Sequence, residues 1–93
     1  MTLVRVNVTS KHIAAGTRRS TTLCPVARAV ADALGHAMPP DADITVSNLI
    51  TVWHRGQWVA QWRLPRVVNR FIISFDAHKT VRPFAFDLAW EAA

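Results

Sequence analysis

Three of the four tryptophans and four arginines of this chain fall between positions 52 and 70. They are Trp53, Trp58 and Trp62, with Arg55, Arg63, Arg66 and Arg70. Their chemistry is recognition rather than bond making. An indole stacks on a base or fills a partner's pocket, and a guanidinium pairs with phosphate or carboxylate. No acid occurs between Asp43 and Asp76, so this is the longest single-sign region of the sequence, and it coincides with the aromatics. Arg66 and Arg70 stand one helical turn apart. These seven residues are the candidate binding set.

Residue types for covalent chemistry are sparse. Cys24 is the only cysteine, and Cys24-Pro25 reads as a helix N-terminus, where the dipole lowers a thiol pKa. A nucleophile needs a base, and His12, His36, His54 and His78 share no diagnostic spacing with it. A free cysteine is also among the most buried residue types, so a structural role is expected for Cys24. The histidines are scattered, the acids number six and the glycines are isolated. No zinc cage, paired carboxylates or phosphate-cradling loop is written here. The expectation is a non-enzymatic protein without metal or cofactor, with an enzyme using Cys24 as the remote alternative.

The chain of 93 residues is one domain, 1–93, with 51% apolar and 18% charged residues, a globular composition. A domain this small buries only about 60–65% of its unfolded surface, so a homodimer is a natural way to add stability. The net charge of +5 suits an acidic partner, either a protein surface or nucleic acid. Nearly all of that charge is arginine, and abundant arginine and alanine also arise from GC-rich coding, so the charge has two candidate origins. A single cysteine fits a reducing compartment. The N-terminus shows no signal-peptide pattern, and no run approaches a membrane span. A cytoplasmic location is expected.

The elements that must position the candidates follow from periodicity. Val4, Val6 and Val8 alternate with Arg5 and Asn7, a half-buried strand. Ser10 to Gly16 allows one helical turn, capped by Ser10 and ended by Gly16. Val26, Val30 and Leu34 recur at helical spacing in a segment with Thr21 or Thr22 as cap and Gly35 as a left-handed stop. Strand patterns resume at ITVS, LITVWH and QWVAQWRL, the last two joined by Arg55-Gly56 as a two-residue hairpin loop. Val68, Phe71, Ile72 and Phe75 form a second helix stripe, closed by the turn Asp76 to Lys79. A final strand from Val81 alternates at Phe84, Phe86, Leu88 and Trp90, with Pro83 at its start or edge.

The order is β-α-β-β-β-α-β. The fold class is α+β, with two helices packed on one face of a mainly antiparallel sheet and a ferredoxin-like or split βαβ plan as its nearest relative. A regular hairpin pairs Trp53 with Trp58 and Leu49 with Trp62. Leu49, Thr51, Trp53, Trp58, Ala60 and Trp62 then share one face, with Ile50, Val52, Val59 and Gln61 on the other. Each indole can bury about 150–250 Å², very roughly 4–6 kcal/mol. If the helices cover the tryptophan face, the rings are core and only the arginines remain as candidates. If they cover the Val52/Val59 face, the tryptophans form an open patch of the kind that marks an interface.

The segments NVTSKHIAAG, CPVARAV and FIISFDAHKTVRPFAFDL carry a resemblance. His12, Ile13 and Gly16, then Cys24, Pro25, Val26 and Ala27, match an HI-x-x-G and Cys-Pro-aliphatic-Ala pattern. Phe71, Ile72, Phe75, Asp76, Val81, Pro83, Phe84, Phe86 and Leu88 match its second half. The pattern resembles a family of small uncharacterised proteins encoded by bacteriophages of actinobacteria and other bacteria. The tryptophan-rich middle departs from it, and it implies no catalytic residues. It implies a setting rather than an activity, a non-structural phage protein. With no catalytic constellation in the sequence, the expectation is an accessory (host-takeover or anti-host) protein that binds a host macromolecule, most simply a host protein, in the cytoplasm of the infected bacterium. Direct nucleic-acid binding through the same Arg/Trp set is the alternative.

Overall fold

The computed structural model describes residues 2–90, with the side chains of Thr2, His36 and Trp90 outside that description. The elements are β1 (Thr2–Val8), α1 (Ser10–Ala15), α2 (Pro25–Leu34), β2 (Asp43–Val46), β3 (Leu49–His54), β4 (Gln57–Arg63), α3 (Arg66–Asp76) and β5 (Phe84–Trp90), with a 3-10 turn at Gly35–Ala37 after α2. The α+β class and the strand and helix order agree with the sequence pattern. The last strand starts just past Pro83 rather than at Val81, since proline has no N–H to give a ladder. The side chain of Trp90, last in the expected alternation, lies outside the described residues.

All strand pairing is antiparallel, but it falls into two sheets rather than one. One is the ribbon β1-β5, with Val4 opposite Leu88, Val6 opposite Phe86 and Val8 opposite Phe84. The other has the order β2-β3-β4. The continuous sheet of a ferredoxin-like plan is therefore not formed. Helix α2 packs on both β1 and β2 and joins the two sheets through a shared core. Val26, Val30 and Leu34 of α2 meet Val6 and Val8 of β1, Ile44 and Val46 of β2, and Ile50 and Val52 of β3, all buried. Helix α3 adds Val68, Phe71 and Phe75, and the Phe71 and Phe84 rings lie 4.8 Å apart between centroids.

Local chemistry explains the helix ends. Thr9, not Ser10, caps α1, and His12 returns the bond to the Thr9 backbone, a reciprocal capping box. Cys24, not Thr21 or Thr22, caps α2 with its sulfur 3.4 Å from the Ala27 nitrogen, and Pro25 follows at the position where a helix needs no N–H. Gly16 keeps a negative φ, and its need for glycine is steric: a Cβ there would collide with the Pro25 ring. Helix α3 ends in a Schellman pattern, with His78 N–H donating to Phe75 O and Lys79 N–H to Ser74 O. His78 takes the left-handed conformation at φ 62° that glycine usually supplies. The loop Thr17–Thr22 crosses this helix end: Arg18 Nε donates to Phe75 O at 3.2 Å, and Arg19 N–H donates to Asp76 at 2.9 Å.

Candidate functional site

The hairpin β3-β4 carries the tryptophans. Arg55 and Gly56 have φ of 53° and 77°, the paired left-handed conformation of a two-residue hairpin turn, as the sequence implied. Trp53 is opposite Trp58. Beyond that pair the register slips. A bulge lies between the Val52 and Trp53 positions, so Val52 faces Ala60, Ile50 faces Trp62 and Leu49 faces Arg63. One unmatched residue on β4 moves every later side chain to the opposite face.

The bulge corrects the expected tryptophan face. Ala60 and Trp62 turn inward beside Ile50 and Val52, and the helices cover this side. Trp53 stays on the other side, half-buried, and its indole N–H donates to Thr45 Oγ1 at 3.1 Å. Trp62 packs against the core and donates its indole N–H to the Ala89 carbonyl at 2.8 Å, so it bridges β4 and β5 across the break between the sheets. Trp58 alone of the three stands out in solvent, 59% exposed, beside Val59 at 39%. Of the expected platform, one ring remains at the surface, one is a strut and one is half-buried.

The arginines separate in the same way. Arg55 lies at the hairpin tip with its Nε 3.5 Å from Asp41, which also takes a 2.7 Å bond from His54 Nε2. The His54 bond, assisted by Arg55, holds the Asp41 carboxyl below its ordinary range. Arg63, Arg66 and Arg70 are exposed and form no ion pair with a described residue. Arg66 lines a polar cleft with Asn48, Leu64 and Asn69. Arg70 instead lines an apolar cleft of about 300 Å³ with Arg82, Phe71 and Phe84. The three therefore flank the end of β4 and both sides of α3 rather than one groove.

β4 is the outer strand of its sheet, and no described strand pairs with its free side. A slot of about 340 Å³ runs along that side, lined by residues 58–62 and Ala89. From Gln57 to Trp62 the strand holds no charged residue.

The chemistry-bearing groups elsewhere are tied into structure. Cys24 is buried, and burial pushes its thiol pKa up, the reverse of an activated nucleophile. His12 forms a cluster that spacing alone did not reveal. Its Nδ1 accepts the Thr9 N–H at 3.0 Å, and its Nε2 lies 2.6 Å from Asp32 on α2. With Nδ1 taken as acceptor, the neutral ring carries its proton on Nε2 and donates it to Asp32. Both ring nitrogens are engaged, and the imidazole works as a strut from α1 to α2. An open cleft of about 540 Å³, also touched by Lys11 and Arg28, lies over it. The twenty residues separating His12 from Asp32 gave no signal of this contact. Among the described residues, no three of His, Cys, Asp and Glu gather as a metal site, and no helix is long and apolar enough to cross a membrane.

No protein-family model, curated protein or solved structure matches this chain.

Proposed function

We propose that this chain is a non-enzymatic binding protein whose partner is another protein, engaged by the free side of β4 with Trp58 as anchor near the hairpin tip, Arg63 and Arg66 at the strand's far end and Arg70 on α3. The single observation behind this reading is the exposed indole of Trp58 on an edge strand that carries no charge from Gln57 to Trp62 and whose free side pairs with no described strand. Aromatic and arginine side chains dominate interface energetics, and an exposed apolar strand edge is rarely left without a purpose. The resemblance to small bacteriophage proteins gives the reading its setting: an accessory protein acting on a host protein in the bacterial cytoplasm. The buried thiol of Cys24 and the engaged nitrogens of His12 support a role without catalysis.

Affinity capture from bacterial host lysate, followed by mass spectrometry, tests the proposal. Trp58→Ala and the Arg66→Glu/Arg70→Glu double variant are each expected to lose the captured protein at least tenfold while keeping the wild-type circular dichroism. Identical partner lists for all three proteins would place the binding surface elsewhere. Nucleic acid is the competing partner class, since only one indole is fully available for stacking but the arginines remain. Binding of a random oligonucleotide that falls steeply between 50 and 200 mM salt, on the order of tenfold or more, would favour it.

A further inference from the structure

Resting on that reading of the β4 surface, we propose that the partner binds by β-strand addition: an extended segment with acidic residues at one end pairs with the free side of β4 and lies in the slot between β4 and β5. Three observations converge on this mode. The strand is seven residues long, and no described strand pairs with its free side. Within Gln57–Trp62 it carries neither a charged side chain nor a proline, two of the usual protections of an edge. Trp58 and Val59 present apolar surface there, and the slot continues to Ala89 of β5. Main-chain bonds supply affinity in strand addition, and side-chain pockets along the edge supply specificity.

The charges choose the occupant. Arg63 closes the strand and Arg66 opens the next helix, both without a carboxylate partner among the described residues. An acidic end on the incoming segment meets them. A second copy of this chain fits less well. Antiparallel self-pairing centred on Ala60 sets Gln57 opposite Arg63 and brings Arg55 of one copy toward Arg66 of the other, while each copy carries a net charge of +5.

The test uses the full chain and three blocked decapeptides of alternating valine and threonine. The first ends in two glutamates, the second in two lysines, and the third is the glutamate peptide with alternate backbone amides N-methylated. Binding is followed by tryptophan fluorescence, and amide hydrogen exchange of residues 57–63 is read with and without peptide. Strand addition predicts that the glutamate peptide protects those amides. It also predicts that the lysine and N-methylated peptides bind at least tenfold more weakly. Val59→Lys, a charge on the exposed edge, is expected to weaken the glutamate peptide at least tenfold with an unchanged melting temperature. Equal binding of the N-methylated peptide, β4 amides that stay unprotected, or no binding in any arm would overturn the proposal. So would a peptide-free dimer by sedimentation with β4 already protected. Lysate capture that depends on Trp58, combined with unprotected β4 amides, would overturn strand addition and leave the binding surface standing. Capture indifferent to Trp58 would remove the surface itself.

Discussion

The two outer strands of one three-stranded sheet lead opposite lives. At one edge, β2 buries Ile44 and Val46 under α2, and its last residue is tied down where Val46 N–H donates to Thr21 O at 2.7 Å. At the other edge, β4 turns only Ala60 and Trp62 toward the core and leaves Trp58 and Val59 in solvent. Both edges are apolar in sequence. The difference lies in what stands above them, because α2 packs directly on β1 and β2. Burial of apolar surface is the main stabilising term available to a domain this small, and the apolar edge left uncovered is the feature on which the proposed binding role rests.

Substitutions on the two sides should separate stability from recognition. Ile50 is fully buried beneath the helices, and Ile50→Ala removes core packing and leaves a cavity. A loss of about 2–5 kcal/mol by chemical denaturation is expected. A loss below about 1 kcal/mol would mean that the covered side is no firmer than the bare one. Trp62 sits on the boundary between the two regimes. Trp62→Phe keeps a ring against the core but deletes the indole bond to Ala89 O. The expected cost is about 0.5–1.5 kcal/mol, with faster amide exchange near the end of β5. Unchanged exchange there would show that the sheets are held together by α2 alone. Trp58→Ala gives up mainly the cross-strand contact with Trp53, about 0.2–1 kcal/mol, while abolishing partner capture. A cost as large as that of Ile50→Ala would make Trp58 a core residue.

How much of this was legible in the sequence depends on what each element answers to. The stripe Val26, Val30, Leu34 and the alternation Phe84, Phe86, Leu88 each follow from a local period, and each is where the structure has it. The Arg55-Gly56 turn was legible for the same reason, since two residues between apolar runs leave few conformations. The bulge was not legible. QWVAQW alternates well enough as an unbroken strand, and nothing in it marks an unmatched residue. The slip places Trp62 inward, where its N–H reaches the Ala89 carbonyl, a contact 27 residues away in sequence. The break between the sheets was hidden too, because strand patterns report which residues alternate and not which strands are neighbours. Of the seven candidate residues, Trp58, Arg63, Arg66 and Arg70 keep exposed positions, Arg55 is exposed with a bond to Asp41, and Trp53 and Trp62 are engaged within the fold.

The smallest effect expected concerns the tip of the bare hairpin. Asp41 receives His54 Nε2 at 2.7 Å and Arg55 Nε at 3.5 Å, the residue before the turn into β4 and the first residue of that turn. These bonds lower the carboxyl pKa below its reference value of 3.8, with the His54 bond the largest cause. A carboxyl whose folded pKa is depressed stabilises the fold above its unfolded pKa, and that contribution is lost as pH falls through the folded value. The tether therefore persists at mildly acidic pH and releases only below the ordinary carboxylate range. Asp41→Asn, which keeps shape and removes charge, should abolish that acid dependence of the tip. Amide exchange at residues 54–58, measured from pH 5 down to pH 2.5, is expected to accelerate toward the low end in wild type relative to core amides and to stay flat on the same scale in Asp41→Asn. Equal acceleration in both proteins would show that the Asp41 bonds do not anchor the turn and that the edge strand presents Trp58 without help from the loop before β2.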